Sequence, residues 1–446
     1  MANDLKISIS GIRGVVGQSL DLEHFLGWVL TWENSLPEGP IVLARDARPH
    51  GGMLLELASG TLQYLGRTVL VAGLVPTPTV GVLVRDQKTA GGLMLTASHN
   101  PVEWNALKCF NHRGVILTPD EFARLQPAWE APPDLSAAVY KPGGNRIAIE
   151  EPLKEHILLI LKHIDKEKIA ARKFKVVVDG CHSVGGVALP LALREVGVDV
   201  VELDCEPDGL FSRGLEPVAS NLGVLCEAVR KVKADLGMAV DPDADRLALV
   251  SEEGVAIGEE YTLVLAADAI LARGGKDFVA NLSSTLILDA VAKKHGAKMH
   301  RSKVGEAHVM NLIDETGASI GGEGNGGVIF PAVQGGRDSL SGALLILDLL
   351  AKTDQPLSKV IQGYPPAFMV KDKIAAQEGL WGRIESQAGD WWPDAEVNRL
   401  DGLKWIWKDR WIHLRASNTE PIIRILAEGP SEEAALGLVD AFKKRI

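Results

Sequence analysis

The chain has 446 residues, of which 46% are hydrophobic and 24% charged, a composition typical of a folded, soluble protein of about two to four domains. The formal net charge of −11 argues against broad binding to nucleic acid, although a local basic pocket can still bind an anion. No apolar run reaches the roughly 18 residues of a membrane span, and the N-terminus does not resemble a signal peptide. We therefore expect a cytoplasmic protein with no membrane partner.

Three successive segments of the chain repeat a short apolar strand, a glycine-containing turn and an amphipathic helix. The first segment has strands at residues 41–44 and 68–72, and the second has a strand at 174–180. The third has a strand at 277–282 that is followed by a helix near 284–295. Strands that alternate with helices in this way predict parallel α/β layers.

The C-terminal part of the chain has a different pattern. The proline-rich stretch 126–144 is typical of a loop between units, and residues 363–366 indicate a last linker. Tryptophans are concentrated after this linker, and residues 405–407 and 411–415 alternate like the strands of a hairpin. We therefore predict three tandem α/β domains with mixed sheets and a smaller C-terminal α+β domain. The predicted bounds are 1–145, 146–256, 257–364 and 365–446.

Residues 94–103 read Met-Leu-Thr-Ala-Ser-His-Asn-Pro-Val-Glu and carry a candidate nucleophile. Ser98 stands directly beside the imidazole of His99, and Pro101 interrupts regular strand pairing. We therefore expect both side chains on an exposed loop that follows a strand. A serine hydroxyl reacts only with help from a base, a metal ion or a positive field.

Three carboxylates at alternate positions follow an apolar strand in Asp241-Pro242-Asp243-Ala244-Asp245-Arg246. Anions at this spacing repel each other unless a cation neutralises them, and oxygen ligands suit a hard ion such as Mg²⁺. An EF-hand loop is one alternative, but it needs glycine where Arg246 stands. A solvated acidic turn is the other.

Residues 415–421, together with Arg424, place hydroxyl and amide donors between two guanidinium groups. Arginine forks and loop N–H groups form a seat for an anion, and a phosphate matches it best. The alternative is a polar hairpin turn whose arginines pair with neighbouring carboxylates.

Residues 321–327 combine five glycines with Glu323 and Asn325. Glycines let the backbone approach a ligand closely, and the two polar side chains are spaced to contact neighbouring hydroxyls of a sugar. The alternative is a flexible loop with solvated polar residues.

Several basic residues are further candidates for binding an anion. Arg13 and Lys108 flank the serine segment in sequence, and Lys303 precedes a Val-Gly-Glu turn. For Arg45 and Arg48 we expect ion pairs on the protein surface.

The four motifs occur together in one order: 96–101, 241–246, 322–326 and 415–421. In this combination the chain resembles the α-D-phosphohexomutase superfamily, from Ser10 to Arg424. The resemblance implies four domains in a heart shape around one deep cleft, with one loop from each domain. It implies an isomerase that interconverts hexose 1-phosphate and hexose 6-phosphate through a phosphoserine and a hexose 1,6-bisphosphate.

The resemblance also implies a role for each candidate residue. Ser98 carries the phosphoryl group and shares an Mg²⁺ ion with the three aspartates, and Arg246 pairs with the seryl phosphate. His99, Lys108 and Arg13 move protons or stabilise charge at the reacting hydroxyl, while Glu323, Asn325 and Lys303 contact the sugar. The phosphate that does not react is held by Arg415, Ser417, Asn418, Thr419 and Arg424.

The resemblance indicates the reaction and leaves two alternatives for the preferred sugar. The 322–329 loop and the segment 10–14 resemble phosphoglucosamine mutases most, with phosphoglucomutase/phosphomannomutase as the alternative. The family usually has serine where Asn325 stands, glycine where Ala106 stands, and an aspartate before Gly11. An Mg²⁺-dependent sugar phosphatase and a non-catalytic sugar-phosphate binding protein are the other hypotheses. We expect a monomer or a homodimer that binds a phosphorylated hexose.

Overall fold

A computed structural model describes residues 5–416 and 422–446. Within these ranges the chain forms four β-sheets, three in α/β layers and one in a smaller C-terminal α+β unit, and this confirms the predicted fold class. No helix of the described chain is long and apolar enough to cross a membrane.

The first sheet is mixed and has seven strands in the order β1-β2-β6-β5-β3-β4-β7. Its centre is parallel, with β3 between β5 and β4, while β6, β2 and β1 add antiparallel strands on one side. The strands are β1 (Lys6–Ser8), β2 (Gly11–Val15), β3 (Ile41–Arg45), β4 (Thr68–Leu74), β5 (Gly91–Leu95), β6 (Trp104–Phe110) and β7 (Asn145–Ala148). Four helices accompany them: α1 (Leu22–Asn34), α2 (Gly51–Tyr64), α3 (Thr77–Asp86) and α4 (Pro119–Glu130).

The second sheet has the order β11-β10-β8-β9, and only the pairing of β10 with β11 is antiparallel. Its central strands bury apolar side chains on both faces, as parallel layers between helices require. The strands are β8 (Lys175–Asp179), β9 (Asp199–Leu203), β10 (Leu236–Val240) and β11 (Leu247–Ser251). The helices are α5 (Lys154–Leu161), α6 (Lys166–Arg172), α7 (Gly185–Arg194) and α8 (Gly223–Val232).

The third sheet repeats this design in the order β13-β12-β14-β15, again with one antiparallel pair at its end. The strands are β12 (Asp277–Asn281), β13 (Lys298–Ser302), β14 (Ile320–Glu323) and β15 (Gly327–Ile329). The helices are α9 (Glu260–Leu271), α10 (Ile287–His295), α11 (Glu306–Thr316), α12 (Ser339–Thr353) and α13 (Leu357–Gln362).

The C-terminal sheet is antiparallel, in the order β16-β20-β19-β18-β17. The predicted tryptophan hairpin is confirmed, because Trp405 lies opposite Ile412 in the register of β18 and β19. The strands are β16 (Phe368–Ala375), β17 (Glu396–Asn398), β18 (Leu403–Ile406), β19 (Trp411–Ala416) and β20 (Ile422–Gly429). Helices α14 (Leu380–Trp391) and α15 (Glu432–Lys443) pack on it.

The prediction of a loop from residue 126 onwards was wrong at its start. Helix α4 continues through Pro127 to Glu130, and a capping box at Thr118 fixes its first turn. Trp129 is buried, and its carbonyl accepts a hydrogen bond from the Trp28 indole at 2.8 Å. Tertiary packing of the last turn thus outweighs the hydrogen bond that the proline cannot donate.

The candidate residues lie just beyond the carboxyl ends of the parallel strands. The serine segment follows β5, the aspartate loop follows β10, and the glycine-rich loop starts at the end of β14. Open α/β sheets form their ligand crevices at these ends. The topology therefore brings together segments that are far apart in sequence.

Candidate active site

Ser98 lies in a tight turn directly after β5 and has a positive φ of 49°. Its Oγ donates a hydrogen bond to Oδ2 of Asp241 at 2.9 Å, and it lies 3.3 Å from Nδ1 of His99. The backbone N–H of Ser98 donates to Thr96 Oγ1. Ser98 is only 5% exposed, so the expectation of an exposed loop was wrong: the aspartate loop covers the hydroxyl.

Asp241, Asp243 and Asp245 are buried, and one carboxylate oxygen from each lies within 4.8 Å of the others. Oδ1 of Asp243 and Oδ1 of Asp245 have no hydrogen-bond partner among the described residues. Burial raises the pKa of Asp241 well above its ordinary value, and repulsion from the other two carboxylates adds to the shift. Buried oxygens that lack donors and repel one another fit a hard divalent cation such as Mg²⁺.

The cationic side chains next to this triad are Lys108 and Arg337. Nζ of Lys108 lies 2.7 Å from Asp243 Oδ2 and 3.3 Å from Asp245 Oδ2, and Nη2 of Arg337 lies 2.7 Å from Asp245 Oδ2. Burial opposes ionisation of Asp243, but Lys108 outweighs it and holds the pKa of that carboxyl below its usual range. Thr77 Oγ1 donates to the same carboxylate at 2.6 Å.

Arg246 and His99 connect the triad to the open cleft, because both line its wall. Nη1 of Arg246 donates to Glu216 Oε1 at 2.9 Å, and its Nε lies 3.8 Å from Oδ1 of Asp245. Burial, and then the charge of Arg246, lower the pKa of His99 to about 4. The imidazole is therefore neutral near pH 7.

Arg13 reaches the serine segment from β2. Its Nη1 donates to Asn100 Oδ1 at 3.1 Å, two residues beyond Ser98. Burial lowers the pKa of the guanidinium, although the ordinary value is so high that the charge remains. Arg13 thus adds positive charge beside the serine hydroxyl.

The prediction that Arg48 forms a surface ion pair was wrong. Arg48 is fully buried, its Nε lies 3.2 Å from Asp46 Oδ2, and its two Nη atoms donate to four backbone carbonyls. The carbonyls belong to Ser98, Asn100, Pro101 and Trp104. Arg45 is only partly buried and donates to the Asp46 carbonyl. Arg48 therefore holds the backbone of the serine segment in place through hydrogen bonds to its carbonyl groups.

The glycine-rich loop presents Glu323 and Asn325 at the cleft wall. Glu323 is already engaged: its Oε1 accepts from Asn281 Nδ2 and from the N–H of Gly305, both at 2.9 Å. Its Oε2 lies 3.4 Å from Nη1 of Arg337. Asn325 Oδ1 accepts only from the N–H of Gly327, at 3.2 Å. Asn325 is thus the freer of the two polar groups.

The C-terminal sheet places Arg415 and Arg424 opposite each other in the register of β19 and β20, both at the cleft wall. Arg415 Nε lies 2.9 Å from Asp401 Oδ2, and the same oxygen accepts from the N–H of Val304 at 2.8 Å. Lys303, which precedes Val304, has an exposed side chain. The predicted phosphate-binding residues Ser417, Asn418 and Thr419 lie outside the described residues.

The cleft has a volume of about 1530 Å³ and is lined by segments that belong to each of the four α/β or α+β units described above. Its wall includes His99 from the serine segment, Arg246 from the aspartate loop, Glu323 from the glycine-rich loop and Arg415 from the C-terminal sheet. The buried hydroxyl and the buried carboxylate triad thus adjoin His99 and Arg246, which line a cleft that also contains Arg415 and Arg424. This arrangement can hold two anionic groups of one small ligand at opposite ends.

Sequence reasoning placed Arg48 at the surface and missed four further groups at this site: Arg337, Thr77, Asp401 and Glu260. Each acts through a partner that is distant in sequence, such as Thr77 with Asp243 or Arg337 with Asp245. None stands in a motif with a recognisable spacing. Arg337 stands in Gln-Gly-Gly-Arg-Asp before α12, a pattern typical of a loop at a helix N-terminus, but this pattern does not indicate a buried site residue.

Family models match nearly the whole chain. Four descriptions apply in order: Phosphoglucomutase/phosphomannomutase, alpha/beta/alpha domain I (residues 5–131), domain II (154–254), domain III (258–368) and C-terminal domain (370–445).

Two curated relatives and one solved structure are similar over almost their full lengths. A "Phosphoglucomutase/phosphomannomutase" of Thermococcus kodakarensis is 35% identical, covering 95% of this chain and 94% of its own. A "Probable phosphoglucosamine mutase" of Methanopyrus kandleri is 33% identical, with 97% and 96% covered. The crystal structure of a phosphoglucomutase/phosphomannomutase family protein from Burkholderia thailandensis is 26% identical, with a TM-score of 0.84 and 98% and 97% covered.

Proposed function

The chain belongs to the α-D-phosphohexomutase superfamily, and on that premise we propose that Ser98 is the residue that carries the phosphoryl group. The enzyme is an isomerase that interconverts hexose 1-phosphates and hexose 6-phosphates. The observation that supports the role of Ser98 is the 2.9 Å contact between its Oγ and Asp241, at the edge of the buried triad.

We propose that Asp241, Asp243 and Asp245 hold an Mg²⁺ ion together with the phosphorylated Ser98. When bound, the ion withdraws charge from the phosphoryl oxygens during transfer. The unpartnered oxygens of Asp243 and Asp245 support this donor set. Arg246 is proposed to pair with the seryl phosphate, since it lines the cleft together with His99, the neighbour of Ser98, and its charge acts on that imidazole.

The first transfer breaks the bond between phosphorus and Ser98 Oγ and forms a bond between phosphorus and a hexose hydroxyl oxygen. The hydroxyl proton needs an acceptor, and neutral His99 is the proposed one, because its ring lies within 3.3 Å of Oγ. Arg13 and Lys108 are proposed to stabilise the charge that is spread over the transferring group. The product of this step is a hexose 1,6-bisphosphate.

The second transfer returns the other phosphate to Ser98, so the bisphosphate exchanges its two ends within the cleft. Arg415 and Arg424, with Ser417, Asn418 and Thr419, are proposed to hold whichever phosphate does not react. Glu323, Asn325 and Lys303 are proposed to contact the sugar between the two phosphates. Each of the four predicted domains would then supply one segment of the site.

Among the sugars, we propose glucosamine phosphate as the preferred substrate, with glucose and mannose phosphates as the alternative. The resemblance of the 322–329 loop and of residues 10–14 to phosphoglucosamine mutases supports this choice. The names of the two curated relatives cover both alternatives.

The reaction is tested with Ser98→Ala and with Ser386→Ala as control, since Ser386 lies on the exposed face of α14. We expect Ser98→Ala to lower kcat by at least a factor of about 1000 without lowering the thermal melting midpoint. Peptide mass spectrometry should find a phosphoryl adduct on Ser98 of the wild type after incubation with hexose 1,6-bisphosphate. Near-normal turnover in Ser98→Ala, or release of inorganic phosphate equal to the substrate consumed, would contradict the proposal.

A further inference from the structure

Glu260, the first residue of α9, is a carboxyl group at the cleft wall that the mechanism above does not use. Its Oε2 accepts a hydrogen bond from the N–H of Thr285 at 3.0 Å. Within the described chain, nothing donates a hydrogen bond to its Oε1. One acceptor of this carboxyl therefore remains available to a ligand.

The carboxyl of Glu260 lies directly against the glycine-rich loop. A Cβ atom built on Gly324 would lie 1.9 Å from Oε1 of Glu260 and 2.2 Å from its Cδ. Gly324 is flanked by Glu323 and Asn325, the residues proposed to contact the sugar. Glu260 therefore adjoins the two residues proposed to contact the sugar.

The other carboxylates at the cleft wall already have partners. Within the described residues, four are ion-paired: Glu216 with Arg246, Glu259 with Lys371, Glu323 with Arg337 and Asp372 with Lys443. Glu428 is buried and accepts from the N–H of Leu286 and from the Trp411 indole. Glu260 alone among these six lacks both an ion pair and a second hydrogen bond in the described structure.

We infer that Glu260 contacts the protonated amine of a 2-amino-2-deoxyhexose phosphate and thereby selects amino sugars over neutral hexoses. The inference rests on the proposed function and deepens it, because it names the group that distinguishes the substrates. A partly buried carboxylate without a cation is unfavourable, and an ammonium group supplies both the missing charge and the missing donor. A hydroxyl at the same ring position supplies only a donor.

The electrostatic state of Glu260 agrees with this geometry. Burial raises the pKa of Glu260 to about 8, and the nearby charge of Lys371 only partly opposes the shift. Lys371 is itself held by Glu259 at 2.6 Å. A cationic substrate stabilises the ionised carboxylate, whereas a neutral hexose leaves the group largely protonated at pH 7.

The test is the ratio of kcat/KM for glucosamine 1-phosphate to kcat/KM for glucose 1-phosphate, measured in the wild type and in Glu260→Gln. The amide is isosteric and retains an acceptor for the Thr285 N–H, so the variant should fold, which its melting midpoint checks. We expect the ratio to fall about tenfold or more, the size of one charged hydrogen bond. The activity on glucose 1-phosphate should change by less than about threefold.

Asp372→Asn is the matched control, because it removes one negative charge from the same cleft but from a carboxylate paired with Lys443. Gly324→Ala is a second variant: its methyl group needs the space of the Glu260 carboxyl, so the same ratio should fall while Glu260 is present. A ratio within twofold of the wild type in Glu260→Gln, or an equal fall in Asp372→Asn, overturns the inference.

The two proposals fail in distinguishable ways. A wild type that converts glucose or mannose phosphate but not glucosamine phosphate overturns the role of Glu260 and leaves the phosphotransfer mechanism intact. A wild type without a phosphoryl adduct on Ser98 overturns that mechanism, whatever the substrate ratio.

Discussion

Arg48 should be the residue on which the geometry of the serine segment most depends, and Arg48→Lys tests this. The guanidinium donates to the carbonyls of Ser98 at 2.7 Å, Asn100 at 2.5 Å, Pro101 at 2.5 Å and Trp104 at 3.0 Å. It also pairs with Asp46, and both side chains are fully buried. Lysine keeps the positive charge but has three donors in place of five and no planar fork.

The expected loss of stability follows from this count of donors. A lysine ammonium can satisfy at most three of the five acceptors, so at least two acceptors lose their donors, and the carbonyls of Ser98 and Trp104 and the Asp46 carboxylate are buried. Each buried polar group left without a partner costs about 1–3 kcal/mol. We therefore expect Arg48→Lys to lower the free energy of unfolding by about 3 kcal/mol. Arg48→Ala would also leave Asp46 as a buried carboxylate without its cation, at a cost of about 3–5 kcal/mol for that pair alone.

Urea unfolding followed by circular dichroism measures the effect. With a slope of about 1–3 kcal/mol per molar urea, a loss of about 3 kcal/mol moves the midpoint down by about 1–3 M. Arg45→Lys is the matched control, because Arg45 is a near neighbour on the same segment and makes one hydrogen bond to the Asp46 carbonyl. The reasoning is refuted if the two lysine variants unfold at the same urea concentration, or if Arg48→Lys keeps full kcat, since a displaced Ser98 cannot transfer phosphate at the normal rate.

Three further predictions concern the metal ion, the phosphate site and the effect of pH. Chelation of Mg²⁺ should abolish activity. Mg²⁺ at about 100 times its Kd should stabilise the fold by about 2.7 kcal/mol and so raise the melting midpoint. In Asp243→Asn, Mg²⁺ should no longer raise the melting midpoint. Asp401→Ala frees Arg415 and the Val304 N–H, so KM for hexose phosphate should rise several-fold while kcat changes little; an unchanged KM contradicts this positioning role. Burial lowers the pKa of His413 from 6.5 to about 4, so the stability is fully present above pH 6.5 and falls as the pH drops towards 4. A stability profile of His413→Gln that still shows this decline contradicts the assignment to His413.

The sequence allowed the fold to be predicted because its signals are local. The strands β8 and β10 are short apolar runs that the structure buries on both faces. Such runs are visible in the sequence itself, so these strands could be predicted without knowledge of their neighbours. The aspartate loop was also recognisable, because three carboxylates at alternate positions repel one another wherever the loop lies. The burial of Ser98 could not be predicted from the sequence, because it depends on contact with Asp241, which lies 143 positions further along the chain.

Arg337 shows why the remaining part of the site could not be predicted. An arginine before a helix is common, and nothing in its neighbours indicates burial. In the fold, its guanidinium lies between three carboxylates: Asp245 of the aspartate loop at 2.7 Å, Glu306 at 3.2 Å and Glu323 of the glycine-rich loop at 3.4 Å.

Through these contacts Arg337 connects two loops of the site. One rigid, permanently charged group joins the loop proposed to hold the ion to the loop proposed to hold the sugar, so neither loop can move without breaking a buried ion pair. The distance between the phosphoryl donor and the acceptor hydroxyl is then set before the substrate binds. Phosphoryl transfer depends mainly on such positioning and on charge, so we expect the ion pairs of Arg337 to contribute to the rate.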